Sequence, residues 1–341
     1  MAEGEDARRS VDELPKVWVL LGNRVGDNNQ LLALAEGLGL PFETKQLHFS
    51  PLRRIPWLRG GARLRVLSPR GRALIRPPWP DLVIGCGYGS VPVARYIRQQ
   101  GGGTTKIVQF GNPRSHIDDL DLLITTPQYA RAPAPNVVAL PFPVGDPAAA
   151  SPATAEERSW LDAHPGPRRL LAVGGPTRNW KVDTGELRRA IASLLRRCEA
   201  DGGTLIAATS HRTDWRSRRV LHRLLKGSRH PIVERFPRFG TLLATSDEFT
   251  VTADSVSMMA EAMLTGRPVG MIPVRHSARG VVTGWLVRKG LKRAYFPDFP
   301  NFWRFLAEHD LVGTVEAPRR TKIENTLPVA REAVLRLLGR S

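Results

Sequence analysis

The segment LLAVGGPTRNWKVDTGELRRAIASLLRRCEADGGTLIAATS, residues 170–210, decides the fold class. An apolar run at 170–173 ends in a Gly-Gly-Pro-Thr turn, and a second apolar run occupies 204–209. Between them, residues 184–199 carry apolar side chains at the spacing of an amphipathic helix. Strand, helix and strand in this order predict a βαβ unit and therefore a parallel sheet.

The same alternation continues on both sides of this segment. The first half predicts strands at 16–21, 42–47, 82–84, 106–110, 122–125 and 137–140, with helices at 29–37 and 91–99. The second half predicts strands at 170–173, 204–209, 231–234, 248–252 and 268–272, with helices at 156–163, 184–199, 216–225, 257–265 and 330–338 and a helix that ends within 242–246. The pattern indicates an α/β protein with two Rossmann-like halves in series.

The length of 341 residues also favours two domains. We expect an N-terminal Rossmann-like domain at 1–145, a linker rich in proline and alanine at 146–168, and a C-terminal Rossmann-like domain at 169–325. Residues 326–341 are expected to form a C-terminal amphipathic helix.

The composition points to an anionic partner. Fifty Lys and Arg residues against 32 Asp and Glu give a net charge of +18, which suits nucleic acid, a phosphorylated substrate or an anionic lipid surface. The alternative is that an arginine-rich chain reflects genomic base composition. Cys86 and Cys198 have no metal-ligand spacing and exclude a disulfide framework, as in a reducing cytoplasm. With neither a signal peptide nor a long apolar run in the sequence, we expect a cytoplasmic protein that is soluble or peripheral on the inner membrane.

Three strand-to-helix loops of the second half carry candidate ligands for a nucleoside diphosphate. Ligands of open parallel sheets bind at the carboxyl ends of strands, where glycines let the backbone approach and helix N-termini attract anions. The alternative for Ser255, at the start of the helix near 257, is that it is an ordinary N-cap. The predicted nucleotide-binding residues are Gly174, Gly175, Thr177, Arg178, Ser210, Arg212, Ser255, Ser257 and Glu261.

The loop GNRVGDNNQ at 22–30 follows the first predicted strand and offers a candidate catalytic group. Asp27 is the candidate general base, with Asn23, Arg24 and Asn28 as acceptor-binding groups. The alternative is that Asp27 or Asn28 only caps the next helix.

Two further loops of the first half carry weaker signals. GCGYGS at 85–90 provides Gly87 and Tyr88 as acceptor-binding candidates, or alternatively a tight turn with close helix packing. Arg114, in the loop after the strand at 106–110, either faces an anion or is simply solvated.

A basic stretch at 51–80 holds eight arginines, Trp57 and Trp79, and no acidic residue. Interleaved arginine and tryptophan suit a membrane interface, which we predict for Arg53, Arg54, Trp57 and Arg59. Single-stranded nucleic acid and a plain solvated loop are the alternatives, and nucleic acid is the least favoured.

These motifs together resemble the mitochondrial fission "elongated mitochondria" family, which has plant and bacterial members. The resemblance rests on GDNNQ at 26–30, PDLVIGCG at 80–87, LAVGGPT at 171–177, TSHRT at 209–213 and VTADSVSMMAEAMLTGRPV at 251–269. It covers nearly the whole chain, and the last segment is its most specific part.

The resemblance implies a GT-B glycosyltransferase architecture, in which two Rossmann-like domains with parallel sheets face each other across a cleft. It also implies similarity to the transferase that adds N-acetylglucosamine to a lipid-linked peptidoglycan precursor. The C-terminal domain would then hold a nucleotide sugar, with Gly174, Gly175, Thr177, Ser255 and Ser257 at the diphosphate and Glu261 at the ribose. Such transferases often carry histidine where this chain has Asp27.

The expected function is sugar transfer from a nucleoside diphosphate sugar to a lipid-linked or cell-envelope glycan acceptor, without a cofactor. No Asp-x-Asp pair follows a strand end, so no metal is expected; Asp118, Asp119 and Asp121 precede a predicted strand. An arginine-rich chain without a targeting sequence suggests a bacterial setting rather than a mitochondrial one. The alternative is a non-catalytic adaptor at a membrane surface that keeps the GT-B fold, as the plant branch of the family implies.

Overall fold

The computed structural model describes residues 14–51, 61–113, 117–129, 132–145, 152–291 and 298–340. It forms two compact units, each built from more than one stretch of chain. The first comprises Met1–Thr125, Ala132–Ala139 and Leu327–Ser341, and the second comprises Thr126–Arg131 and Leu140–Thr326.

The first unit contains one parallel sheet of six strands in the order β2-β1-β3-β4-β5-β6. The strands are β1 (Val17–Leu21), β2 (Phe42–Gln46), β3 (Leu82–Cys86), β4 (Lys106–Phe110), β5 (Leu122–Thr125) and β6 (Val137–Ala139). Helices α1 (Val25–Leu38), α2 (Pro69–Ala73) and α3 (Gly87–Gln100) connect them, and a 3₁₀ turn at Ile117–Asp119 precedes β5. The central strands read as continuous apolar runs because both faces of a parallel sheet are covered.

The second unit contains a six-stranded sheet and a small ribbon. Its strands are β7 (Arg168–Val173), β8 (Trp180–Val182), β9 (Thr204–Thr209), β10 (Ile232–Val233), β11 (Glu248–Thr252), β12 (Pro268–Ile272), β13 (Val274–His276) and β14 (Arg319–Arg320). The sheet order is β10-β9-β7-β11-β12-β14, with only the edge strand β14 antiparallel. Strands β8 and β13 form a separate antiparallel pair.

Helices of the second unit pack against its sheet. They are α4 (Ala155–Asp162), α5 (Thr184–Asp201), α6 (Trp215–Leu225), α7 (Phe239–Thr245), α8 (Val256–Leu264), α9 (Ala278–Arg288) and α10 (Phe299–Glu308). Buried side chains of strands and helices form the core, among them Leu170, Ile206, Phe249, Met263 and Phe302. Two Rossmann-like units with parallel sheets confirm the predicted α/β class.

Helix α11 (Leu327–Leu337) packs against α1 in the first unit. A Cβ atom on Gly37 would lie 3.0 Å from a Leu327 methyl carbon, and Arg331 Nε donates to the carbonyl oxygen of Gly37 over 2.8 Å. The helix at the predicted 326–341 is therefore part of the first unit rather than a separate segment.

The other predicted boundaries also differ from the observed units. The chain first enters the second unit at Thr126–Arg131, and the long stretch of that unit begins at Leu140 rather than near 145. Residues 152–168 of the predicted linker belong to that unit because Glu157 of α4 is buried and accepts hydrogen bonds from Arg238 at its amide and at Nε, both 2.9 Å.

Two helices begin earlier than the sequence predicts. Helix α1 begins at Val25 rather than 29, and α3 begins at Gly87 rather than 91. The polar residues of the first loop and the glycines of the second obscured these helix starts. No helix within the described residues is long and apolar enough to cross a bilayer.

Candidate functional site

One buried carboxylate joins three loops at the carboxyl end of the second sheet. Asp254 follows β11, and its Oδ2 accepts a 2.8 Å hydrogen bond from the Gly175 amide in the loop after β7. The same oxygen lies 3.5 Å from Nη2 of Arg212, in the loop after β9. Burial raises the pKa of Asp254, although Arg212 and the Gly175 amide favour its ionised form.

Both glycines of the turn after β7 are required by this close packing. A Cβ atom on Gly174 would lie 2.2 Å from Asp254 Oδ2, and one on Gly175 would lie 1.9 Å from the carbonyl oxygen of Arg212. Real Cβ atoms do not approach so closely, so any side chain at either position displaces a neighbouring loop. The glycines thus permit loops to meet, which is a structural role the sequence did not reveal.

The amides of this turn have acceptors within the protein. Gly174 donates to Thr252 Oγ1 over 2.8 Å, Gly175 donates to Asp254, and Thr177 donates to the carbonyl oxygen of Trp180 over 2.9 Å. The resemblance places Gly174, Gly175 and Thr177 at a diphosphate, but their amides already donate within the protein and are not free to bind one. Nucleotide binding by these three residues stays a prediction, and the contact would involve atoms other than their amide nitrogens.

A threonine beyond the predicted residues fixes the loop after β9. Buried Thr213 places its hydroxyl 2.8 Å from the Val173 carbonyl oxygen and 2.7 Å from that of Gly174. It also accepts from the Ser210 amide over 2.8 Å, and Ser210 Oγ accepts from the Arg212 amide over 3.2 Å. Ser210 therefore shapes the loop that positions Arg212. In the sequence, the run TSHRT at 209–213 indicated this loop.

Helix α8 begins at the end of the Asp254 loop without a side-chain cap. Ser255 is its N-cap residue but makes no capping hydrogen bond, and Ser257 lies inside the first turn. Ser255 therefore takes the N-cap position of the alternative interpretation, but its side chain does not cap the helix, and Ser257 is not the cap. The amides of the first turn and the helix dipole remain available to an anion.

Glu261 is the sixth residue of α8 and has no hydrogen-bond or ion-pair partner among the described residues. Its carboxyl group is surrounded by protein, which raises its pKa to about 7. Both carboxyl oxygens are partly exposed to solvent. The fully buried side-chain atoms without a hydrogen-bond partner do not include either of them. A half-buried carboxyl group without a cation suits a neutral hydroxyl ligand.

An aromatic cluster adjoins the same loops and was not predicted. Trp180 of β8 stacks on His276 of β13 with ring centroids 3.9 Å apart. Trp303 of α10 contacts Trp180 edge-on and donates from Nε1 to the carbonyl oxygen of Ala253 over 2.9 Å. Single aromatic residues that lie 27 to 123 positions apart give no pattern in a sequence. Arg178, the remaining predicted nucleotide ligand, has an exposed side chain.

In the first unit, Asn28 holds the loop after β1 together. Its Oδ1 accepts from the Gly22 amide over 2.8 Å, and its Nδ2 donates to the Gly22 carbonyl oxygen over 3.1 Å. The side chain that was predicted to bind an acceptor is thus engaged with its own loop. Asn23 and Arg24 lie at the exposed end of this loop.

Asp27 lies in the first turn of α1, next to the end of β3. The N-cap of α1 is Arg24, so neither Asp27 nor Asn28 is the cap. Arg24 Nη1 lies 3.9 Å from Asp27 Oδ2. Burial, and after it the nearby Asp27 carboxylate, raises the pKa of the Cys86 thiol well above its ordinary value. Asp27 therefore lies close enough to Cys86 to affect the pKa of its thiol, a proximity that the sequence did not indicate.

The glycine loop after β3 is fixed by a buried glutamine. Gly87 begins α3 with a φ of 70°, a conformation that favours glycine. Gln109 Nε2 donates to the Gly87 carbonyl oxygen over 2.8 Å and to Ser90 Oγ over 2.9 Å. Tyr88 is half-buried on the first turn of α3. The tight-turn interpretation accounts for Gly87, and acceptor binding by Tyr88 stays a prediction.

Several predicted residues lie outside the described residues: Arg114, and the membrane candidates Arg53, Arg54, Trp57 and Arg59. Across the described ranges, no group of three or more His, Cys, Asp or Glu side chains is placed to bind a metal ion. Asp27 belongs to the first unit, and all nine predicted nucleotide ligands belong to the second.

Solved structures define the fold class. The UDP-GlcNAc 2-epimerase of Methanocaldococcus jannaschii matches with a TM-score of 0.51 at 12% identity, covering 95% of this chain and 99% of its own. A protein from Listeria monocytogenes described as a putative UDP-N-acetylglucosamine 2-epimerase matches with a TM-score of 0.51 at 13% identity, covering 96% of both chains. At these identities the likeness shows the fold alone, which is GT-B-like.

Sequence comparison then shows the family. The family model described as mitochondrial fission ELM1 matches residues 25–289, so the chain belongs to this family. Mitochondrial fission protein ELM1 of Arabidopsis thaliana is 27% identical over 278 residues, which is 72% of this chain. The match spans 64% of the length of that relative.

Proposed function

We propose that the chain is a GT-B-type glycosyltransferase that moves a sugar from a nucleoside diphosphate sugar to a lipid-linked or cell-envelope glycan acceptor. One observation carries the proposal: helix α8 combines an N-terminus without a side-chain cap and the unpartnered carboxyl group of Glu261. The first suits a diphosphate and the second suits the hydroxyl groups of a ribose.

The positive charge for the leaving diphosphate comes from α8 and the loop after β9. The first-turn amides of α8 and the Ser257 hydroxyl would donate to phosphate oxygens, while Arg212 supplies a guanidinium group held by Asp254. Glu261 lies about 7.5 Å along the helix axis from the first residue of α8, on the same helix as the diphosphate donors. The names of the two structural relatives, which refer to UDP-GlcNAc, favour a nucleoside diphosphate sugar as the ligand.

Asp27 is the proposed general base of the first unit. Its carboxylate would accept the proton of an acceptor hydroxyl as the acceptor oxygen bonds to the anomeric carbon of the sugar. The bond between that carbon and the diphosphate oxygen breaks, and the electron pair leaves with the diphosphate. Neither a metal nor a cofactor takes part in the proposed step.

Calorimetric titration with UDP tests the nucleotide site. We expect Glu261→Gln to weaken UDP binding about tenfold or more, since a hydrogen bond to a charged group contributes about 1.5–3 kcal/mol. Glu308→Gln, which changes an exposed glutamate at the end of α10, is the matched control and should bind normally. Equal affinity in both variants and the parent protein would reject this site.

Nucleotide release tests the transfer reaction. A panel of UDP-sugars is incubated with the protein, with and without a membrane lipid extract, and release of UDP is measured. Release that needs the extract and is lost in Asp27→Asn supports the transferase.

A non-catalytic adaptor of the ELM1 family that retains the GT-B fold is the second candidate. The family match supports it, because membership in the family does not require turnover. UDP binding that depends on Glu261, without release from any sugar donor, would favour the adaptor.

A further inference from the structure

Helix α9 exposes an apolar face. The side chains of Val281, Val282 and Trp285 are 58%, 57% and 49% exposed. Their spacing along the chain places them on one face of the helix, one turn apart. Exposed tryptophan and valine in one contiguous patch indicate a surface that binds something.

The opposite side of α9 is attached to its own unit. A Cβ atom on Gly280 would lie 2.0 Å from the carbonyl oxygen of Asn179, and the Ser277 amide donates to the same oxygen over 2.9 Å. Leu286 and Val287 are half-buried. The helix is therefore apolar on two sides, and the part of the chain that the structure describes covers only one of them, whereas a helix that is apolar all round is normally buried.

The charges around the exposed face have one sign. No acidic residue occurs between Glu261 and Asp298. Arg279, Arg288 and Lys289 flank the apolar side chains, all exposed and without an acidic partner among residues 14–340 that the structure describes. Cations around an apolar and aromatic patch complement a surface that presents anionic groups above an apolar layer.

We propose that α9 docks on an anionic lipid surface, with Val281, Val282 and Trp285 inserted at the headgroup boundary and Arg279, Arg288 and Lys289 at lipid phosphates. Tryptophan favours this boundary because its ring is apolar and its N–H is polar. A second copy of this chain would place the same cations against one another, which disfavours it as the occupant.

Docking through α9 does not depend on whether sugar transfer occurs. It would, however, bring the candidate nucleotide site close to the membrane surface. Ser277, the N-cap of α9, donates from Oγ to the carbonyl oxygen of Arg178 over 3.1 Å. The loop that follows the Gly174-Gly175 turn is thus attached to the proposed docking helix. Lipid binding at α9 would hold this loop close to the headgroups.

Flotation with lipid vesicles tests the proposal. The full-length protein is mixed with phosphatidylcholine vesicles with or without phosphatidylglycerol. We expect binding only to the anionic vesicles and a tenfold or greater loss in Trp285→Glu. Trp215→Glu is the matched control, because Trp215 is 64% exposed and its neighbour on α6 is Arg216; this variant should bind like the parent protein.

Two further variants separate the sources of binding. Alanine at both Arg288 and Lys289 should weaken binding at low salt and reduce its salt dependence. Trp57→Glu tests the membrane contact predicted from the sequence for the basic stretch at 51–80; if α9 is the docking helix, this variant still binds anionic vesicles. Far-ultraviolet circular dichroism checks that each variant is folded, and Trp285→Ala provides a milder change should the glutamate variant unfold.

Specific results would overturn the proposal. Normal vesicle binding by folded Trp285→Glu or Trp285→Ala would do so, as would loss of binding in Trp57→Glu alone. Light scattering that shows a dimer converted to monomer by Trp285→Glu, without vesicle binding by the parent, would assign the face to a second copy. UDP titration of Trp285→Glu separates the two proposals, since we expect unchanged affinity even where lipid binding is lost.

Discussion

Alanine at either glycine of the turn after β7 should disrupt the second unit for a different reason at each position. The Cβ of Gly174→Ala would meet the Asp254 carboxylate at 2.2 Å, whereas that of Gly175→Ala would meet the Arg212 backbone at 1.9 Å. An ordinary contact is about 3.5–4.0 Å, so a neighbour must move by more than an ångström. We expect each variant to lose about 1–3 kcal/mol of unfolding free energy, the usual range for overpacking.

A second change should restore one variant and not the other. Asp254→Ala removes the side chain that Gly174→Ala would strike, so the double variant should be more stable than the sum of the two single changes predicts. The obstacle to Gly175→Ala is mainly backbone, so combining it with Asp254→Ala should give little relief. Contacting residues commonly show coupling energies of about 0.5–3 kcal/mol, which is large enough to measure.

Urea unfolding followed by circular dichroism provides the measurement, and Gly284→Ala on α9 is the control. The nearest atom to its Cβ would be Arg288 Nη1 at 3.8 Å, an ordinary contact, so this variant should be as stable as the parent or slightly more so. Thermal melting gives a second measure, at roughly 2–4 °C per kcal/mol for a unit of this size. Equal coupling of Asp254→Ala to both alanine variants would refute the reasoning.

Three more predictions concern single side chains. Because the pKa of Glu261 is raised to about 7 from 4.5, the parent should lose stability as the pH rises from 4.5 to 7, and Glu261→Gln should lose less in pH-dependent melting. Arg238 holds the pKa of Glu157 well below its usual range, so Glu157→Gln should lower the melting temperature at pH 7, with the difference shrinking as the pH falls below 4.5 towards the depressed pKa. Asn28→Ala leaves the Gly22 amide without its partner, while the Gly22 carbonyl oxygen keeps Gln46 Nε2 at 3.0 Å, and should cost about 1–3 kcal/mol in urea unfolding.

The parallel sheets could be predicted because buried strands are conspicuous in a sequence. VWVLL in β1 and LIAAT in β9 are apolar runs that end at polar or glycine-rich turns. Their spacing, with amphipathic helices between them, leaves few alternatives to parallel sheets. The eleven predicted strands correspond to β1–β7 and β9–β12, whereas β8, β13 and β14 were not predicted.

Elements that lack a clear period could not be predicted. The ribbon of β8 and β13 has three residues in each strand, too few for an alternating pattern. Helix α9 contains two glycines and is apolar on two sides, so its sequence has no polar face that would mark it as an amphipathic helix. Helix α10 was also not predicted, because the sequence before it gives no signal for a helix start.

The candidate site was predictable as a set of loops but not as a set of contacts. Glycines after β7 indicated a close backbone approach, and the approaching groups proved to be Asp254 and Arg212 of the same unit. Hydrogen bonds between residues nearly eighty positions apart, such as that from Gly175 to Asp254, depend on tertiary structure. A single sequence does not contain that information, so the motif at 251–269 assigned no role to Asp254.

Helix α11 has a consequence for the synthesis of this chain on a ribosome. It packs on α1 of the first unit, although the whole second unit is translated before it. At roughly 5–20 residues per second, the surface of α1 around Gly37 waits on the order of tens of seconds for its partner. During that interval the nascent first unit exposes the apolar surface that Ala330 and Val334 later cover. The second unit can therefore complete its fold first, and the earlier-made unit reaches its native state only afterwards.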